Sequence, residues 1–221
     1  MSEPLPAPIP AVLLAAGASS RMGQPKQLLP YQGRTLLRHA AETALAAGCS
    51  PVVIVTGAVH AALAAEVRDL PVQLIHNEVW EAGLGTSIGV GVRALEELAP
   101  EAAAVLLLLT DQPLVTPALL GELLTAWQQS GLPVATAYAD TVGVPAIFGR
   151  LVWPQLLALP AAAGAKPLLA KLGDELATVP FPAAAVDVDT PEQYRQLLAG
   201  GRDQTPADNQ SASAPAGAPA A

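Results

Sequence analysis

One stretch, Ala104-Val105-Leu106-Leu107-Leu108-Leu109, constrains this chain more than any other. Six consecutive apolar side chains at strand length need apolar cover on both faces, the pattern of a central strand in a mostly parallel sheet flanked by helices. A strand with one wet face would alternate instead. Comparable shorter runs stand at residues 12–15, 52–55 and 72–75. Helical patterns follow them over 35–47 (closed by Gly48), over 58–68, and after a glycine-rich segment in a helix ending near Leu98. This alternation predicts an α/β fold: a single doubly wound, mostly parallel sheet with helices on both faces. Later strands are expected at 134–138 and 144–148. A last helix should open at Thr190-Pro191-Glu192, with Thr190 as N-cap and Pro191 at the first helical position.

Composition narrows the function classes. With 52% hydrophobic and 14% charged residues, the chain as a whole is not a disordered one. Its net charge of −8 speaks against nucleic acid and anionic membrane as partners. The longest unbroken apolar run, residues 102–109, is far below the roughly 20 residues of a membrane span. Glu3 and the prolines at 4, 6, 8 and 10 argue against a signal peptide, and one cysteine allows neither a disulfide framework nor a cysteine zinc cluster. The expectation is therefore a cytoplasmic protein. It divides into an extended segment 1–10, one folded domain 11–200, and a disordered tail 201–221 with no Leu, Ile, Val or aromatic residue.

In open α/β sheets ligands bind beyond the carboxyl ends of the strands. The loop after the first strand reads Leu14-Ala15-Ala16-Gly17-Ala18-Ser19-Ser20-Arg21-Met22-Gly23-Gln24-Pro25-Lys26. Small residues there let backbone N–H groups approach an anion, and Arg21 and Lys26 add positive charge. It is neither a Walker A loop nor a GxGxxG turn. Residues 4–41 hold Arg21, Lys26, Arg34 and Arg38 but no Asp or Glu, a +4 window in a chain of −8. Such segregation predicts a field suited to a phosphate-rich ligand. Exposed loop charges of this kind are expected to matter little for stability.

The motif LLAAGASSRMGQPKQLLP resembles the signature loop of the nucleotidyltransferases that make molybdenum cofactor dinucleotides, nearest the molybdenum cofactor cytidylyltransferase branch. The resemblance spans residues 11–200. Further matches are Leu109-Thr110-Asp111-Gln112-Pro113, Gly83-Leu84-Gly85-Thr86-Ser87, Gly143-Val144-Pro145-Ala146-Ile147-Phe148, Gly164-Ala165-Lys166 and Asp187-Val188-Asp189-Thr190-Pro191-Glu192. It implies a Rossmann-like nucleotidyltransferase fold, Mg²⁺ as cofactor, and attack of an acceptor phosphate on the α-phosphorus of a nucleoside triphosphate. CTP is the favoured donor and molybdenum-molybdopterin the acceptor, with a molybdoenzyme or its chaperone as a further partner. Two features favour cytidine: Ala16-Gly17 where the guanylyl branch has two glycines, and Gly83-Leu84-Gly85 where it has Gly-Pro-Leu. Ala162-Ala163 stand where family members commonly have Gly-Asp.

On this resemblance the nucleotide-binding residues are Leu14, Ala15, Ala16, Gly17, Ser19, Ser20, Arg21, Lys26, Ser87 and Asp111. Arg21, Lys26 and Asp111 are catalytic, and Asp111 and Asp189 hold the metal. The residues themselves allow this: Asp111 directly follows a buried strand and Asp189 a strand-like stretch, and a carboxylate so placed is costly unless exposed or paired with a cation. They equally allow Asp111 to cap the next turn, and Asp187 or Asp189 to cap the last helix. The glycine run 83–91 serves either close helix packing or a stacked nucleobase. His39, His60 and His76 are left outside the site, Cys49 reads as an inert small hydrophobe, and Trp80, Trp127 and Trp153 are too scattered to form a stacking platform. The competing functions are a cytidylyl- or guanylyltransferase for another phosphorylated acceptor such as methylerythritol phosphate, and a non-catalytic cofactor-binding or chaperone module.

Overall fold

The computed structural model describes residues 7–200; the expectations for 1–6 and for the tail 201–221 lie outside the described residues. The chain opens with β1 (Ala11–Ala15), a small hairpin of β2 (Pro30–Tyr31) and β3 (Arg34–Thr35), and α1 (Leu36–Ala46). Next come β4 (Val52–Thr56), α2 (His60–Val67), β5 (Val72–His76), α3 (Leu84–Leu98), β6 (Ala104–Leu109) and α4 (Pro117–Ser130). The last third holds β7 (Val134–Tyr138), β8 (Thr141–Gly149), α5 (Trp153–Leu157), α6 (Lys166–Leu172), β9 (Ala177–Pro180) and α7 (Pro191–Gly200).

Seven strands form the main sheet in the order β5-β4-β1-β6-β8-β7-β9. All run the same way except β8, which is antiparallel to both β6 and β7. Successive residues of the central strands alternate between two cores. Leu13 and Leu106 meet Leu37 of α1 and Leu120 of α4 on one face. Val12 and Leu107 meet Ile88 of α3 and Leu156 of α5 on the other. Both faces are covered, so β6 is apolar throughout, as its sequence requires.

The expected strands are present with ends shifted by a few residues, and the Rossmann-like, mostly parallel sheet is the fold. Four local differences have physical reasons. The reversal of β8 follows from its connection: only Ala139 and Asp140 separate it from β7, at φ 44° and 59°, and two residues can join only antiparallel neighbours. Helix α4, which the sequence reading does not contain, is capped by Thr116 accepting from the Leu119 amide, with Pro117 next and Gly131 in the left-handed conformation at its end. The glycine run is not a leader to α3 but its first turns. Asp189 follows no strand, because a 3-10 turn at Pro182–Ala185 stands before it. The last helix does open at Thr190: Thr190 Oγ1 accepts from the Gln193 amide and Gln193 Oε1 accepts from the Thr190 amide, a reciprocal capping box.

β1 is flanked by β4 on one side and β6 on the other, so the strand order reverses between β1 and β6. The loops after β1 and β6 therefore leave the sheet side by side at its carboxyl edge, the crevice where open α/β sheets bind ligands.

Candidate active site

The loop after β1 is tied down from beneath by a residue the sequence reading passed over. Gln27 is buried, and its Nε2 donates to Ala15 O at 3.0 Å and Gly17 O at 2.7 Å. Ser19 sits in the left-handed region at φ 56°, and its Oγ accepts from the Lys26 amide at 3.0 Å. These bonds fix where the loop ends. A Cβ built on Gly17 would meet nothing within 4 Å, so packing does not require this glycine. Its bare backbone faces open space.

Lys26 Nζ lies 2.5 Å from Asp111 Oδ2 and 2.8 Å from Asp189 Oδ1, and Arg21 reaches Asp189 Oδ2 at 2.8 Å. The Lys26 side chain is 17% exposed and that of Asp111 14%, whereas Arg21 is 70% exposed. Burial alone would lower the Lys26 pKa, but Asp111 and then Asp189 outweigh it and hold the ammonium above its ordinary value. The hydrogen bond from Lys26 keeps the Asp189 carboxyl below the usual range. Thus no capping role applies to either carboxylate. The +4 window also reads differently in three dimensions: Arg34 pairs with Glu42, and Arg38 with Glu42 and Asp69, away from Lys26. All four basic residues have acidic partners, so the window is not a free positive field.

Burial, then the nearby Asp111, push the Asp187 carboxyl up to about 6. A carboxyl raised by folding stabilises the fold at low pH, and that contribution is lost as pH rises through about 6. Asp187→Asn cannot ionise. Its melting temperature should exceed that of wild type at pH 7.5, and the gap should narrow clearly by pH 4.5, closing only below the unfolded value of 3.8; an equal gap at pH 7.5 and 4.5 would refute this.

Two carboxylate oxygens in the cluster, Asp111 Oδ1 and Asp187 Oδ1, are buried without a hydrogen-bond partner. Orphaned buried oxygens of this kind fit a hard cation. No group of three or more His, Cys, Asp or Glu among the described residues is arranged to hold a metal by itself. The donor set therefore fits an Mg²⁺-like ion that keeps several waters and phosphate oxygens, not a protein cage.

A cavity of about 320 Å³ opens beside this cluster. Leu14, Ala16, Gly17, Lys26, Ser87 and Asp111 line it, whereas Ala15, Ser19, Ser20, Arg21 and Asp189 do not. Trp80 and Glu81 also form its wall, which the sequence reading missed. Their signal was position: they lie just beyond the carboxyl end of β5, on the ligand edge of the sheet. A smaller cavity of about 160 Å³ shares Leu14, Leu84 and Leu109 and extends to Tyr138, Gly143 and Lys166. Five matched motifs meet there.

Packing explains most of the glycine run. A Cβ on Gly85 would stand 2.2 Å from Pro160 O, and one on Gly91 2.4 Å from Val12 Cγ1. Gly83 has φ +127° and a Cβ would stand 2.5 Å from Ala161 O. The Gly85 amide donates to Ala161 O at 2.9 Å, so residues 160–163 dock on the start of α3. Gly85→Ala must push that backbone away and should cost about 1–3 kcal/mol, several degrees of melting temperature. An unchanged melting curve would remove the packing explanation. Ser87 differs: it is 2% exposed, and its Oγ accepts from Asn77 Nδ2 at 3.0 Å. Its own hydrogen finds no protein acceptor among the described residues and is free for a ligand.

The remaining singled-out groups are structural. His39 stacks edge-on against Tyr31 and bonds Pro113 O. His60 bonds Thr56 and packs on His76. Burial pushes the Cys49 thiol up to about 12, so it is inert at neutral pH. No helix among the described residues is long and apolar enough to cross a membrane.

Sheet order, anchored loop and carboxylate–lysine cluster together define a nucleotide-binding α/β protein of the nucleotidyltransferase type. Residues 11–176 match the MobA-like NTP transferase domain, and the chain belongs to that family. It is 41% identical over 138 residues to the nicotine blue oxidoreductase of Paenarthrobacter nicotinovorans, covering 60% of this chain but only 63% of that protein. It is 31% identical over 193 residues to the purine catabolism protein PucB of Bacillus subtilis (strain 168), covering 83% of this chain and 92% of PucB. Among solved structures, Rv0371c of Mycobacterium tuberculosis H37Rv superposes with a TM-score of 0.73 at 31% identity, covering 87% of this chain and 99% of that one. A second structure of Rv0371c is a complex with manganese. These relatives carry names from different chemistries, so family membership leaves the branch and the acceptor to the site itself.

Proposed function

We propose that this protein is a Mg²⁺-dependent nucleotidyltransferase that moves CMP from CTP to the phosphate of a molybdopterin-type acceptor. The observation that carries the reading is Lys26 held between Asp111 and Asp189 at the edge of a cavity floored by the bare backbone of Gly17. The acceptor phosphate oxygen attacks the α-phosphorus, the bond to the β-phosphate breaks, and pyrophosphate leaves. Amides around Gly17, with Lys26 and Arg21, bind the triphosphate and offset charge on the α-phosphate and the leaving pyrophosphate. Asp111 and Asp189 would hold Mg²⁺, whose charge, when bound, polarises the α-phosphate. No general base is needed, because a phosphate monoester is already ionised near neutral pH. The slot lined by Tyr138 and Lys166 offers an aromatic ring and an ammonium to an acceptor that carries a planar ring and an anionic group.

For the nucleobase, the Ala16 side chain on the cavity wall narrows room for a purine, and the free Ser87 hydroxyl donates to a pyrimidine edge. The test is a substrate matrix: CTP, GTP, ATP and UTP with Mg²⁺, against molybdopterin with and without molybdenum and against methylerythritol phosphate, reading pyrophosphate. CTP with molybdenum-loaded molybdopterin should turn over, and CTP should be preferred over GTP at least about tenfold, the worth of one mispaired polar group. Better turnover of GTP refutes the pocket argument. Activity with methylerythritol phosphate alone keeps the reaction and discards the acceptor. Binding of molybdopterin without pyrophosphate release makes the protein a cofactor-binding module.

A further inference from the structure

The charges at the candidate site are already paired with one another before any ligand is considered. Lys26 Nζ stands where Asp111 and Asp189 converge, 2.5 Å from one and 2.8 Å from the other, and Arg21 takes the remaining oxygen of Asp189. A cation shared by those two carboxylates needs the space the ammonium fills. We propose that Lys26 is an exchangeable internal cation. It bridges Asp111 and Asp189 until a metal–triphosphate complex enters, and then its ammonium passes to phosphate oxygens while the two carboxylates pass to the metal. The proposal rests on the nucleotidyl-transfer reading above.

Charge balance gives the consequence. A free divalent cation set between Asp111 and Asp189 must displace a buried ammonium and leave Lys26 and Arg21 without counter-charge. A free triphosphate must draw those same cations away and leave two carboxylates, one of them 14% exposed, uncompensated. Stranding a buried charge is strongly unfavourable. The complex of metal and triphosphate meets both demands at once, so every charge changes partner and none is left alone. Among the described residues there is also no three-ligand group to complete a metal's shell, which phosphate oxygens can do. Metal and triphosphate binding are therefore coupled, and linkage makes the coupling reciprocal.

The local structure permits the exchange. Ser19 and Gln27 hold the backbone around Lys26, so the four-carbon stem can swing without moving the loop. Arg21 cannot replace it: Arg21 is 70% exposed and, among the described residues, bonds only Asp189.

Mn²⁺ binding to the full chain, followed by the electron paramagnetic resonance signal of free Mn²⁺, tests this with and without a non-hydrolysable CTP analogue. Wild type should bind Mn²⁺ alone weakly and at least about tenfold more tightly with the analogue, within the usual range of coupling between sites. Lys26→Met should bind Mn²⁺ alone at least about tenfold more tightly than wild type, and the gain from the analogue should shrink. Lys26→Arg keeps a bridging cation and should resemble wild type. A folded Lys26→Met that binds Mn²⁺ no more tightly than wild type overturns the proposal. Should Lys26→Met fold poorly, Lys26→Gln is compared by melting temperature against rising Mn²⁺: the proposal requires a larger rise than in wild type, and equal rises overturn it. Failure of the functional reading looks different, since wild type would then ignore the analogue even with Mn²⁺ while the comparison in Mn²⁺ alone still judges Lys26.

Discussion

Asp111→Asn is expected to lower turnover with CTP and Mg²⁺ by about 10³-fold, the upper range for losing one oriented charge stabiliser, without unfolding the protein. Asp111 stands at the end of β6, two residues beyond Leu109, and is anchored on both sides: its carbonyl accepts from the Val188 amide, and its Oδ2 from Lys26. An amide side chain of the same shape keeps the packing but removes the negative charge from a group whose second oxygen is already buried and orphaned. Asp189→Asn should be milder. It is more exposed, and an amide oxygen still coordinates a hard cation. The measurement is steady-state turnover across an Mg²⁺ titration. Full activity of Asp111→Asn at limiting Mg²⁺ would show that the orphaned oxygen serves no cation.

What was legible in the sequence depended on whether a residue's neighbours along the chain decide its state. The run from Ala104 to Leu109 announces burial on both faces because all six side chains are apolar, and the strand has the bounds its sequence gives. Helix α4 carries equally local signals, Thr116-Pro117 at its start and Gly131 at its end, and Thr190-Pro191 opens the last helix with the same start signal. The pairing of β8 with β6 and of β9 with β7 is different: each is set by a partner distant in sequence. At the site, Gly17, Lys26 and Asp111 belong to motifs that follow strands and were legible. Gln27 was not, since a lone glutamine beside a lysine gives no sign that it is buried under a loop. The basic window misled for the same reason. Charge counted along the chain ignores Asp69, Asp111 and Asp189, which folding delivers from 31, 85 and 163 residues away.

That last point separates two basic residues which the sequence treats alike. Lys26→Ala is expected to lower turnover by about 10²–10³-fold. It should also lower the melting temperature, contrary to the sequence expectation for an exposed loop charge. Lys26 is 17% exposed and bridges two carboxylates, and its removal leaves Asp111 with no cation while Asp189 keeps only Arg21. Breaking a buried pair costs about 3–5 kcal/mol; with the site partly open to water, about 1–2 kcal/mol is the expected share, a shift of a few degrees in a chain of this size. Arg21→Ala should cost turnover less and leave the melting temperature where it is, because a pair with a 70% exposed partner is worth little in water. Added Mg²⁺ should restore part of the lost melting temperature in Lys26→Ala, since a divalent cation can then stand between Asp111 and Asp189, and should do nothing for Arg21→Ala. Equal melting curves for the two variants, with and without Mg²⁺, would mean that Lys26 is a surface charge after all and that the site's order comes from the Gln27 staple alone.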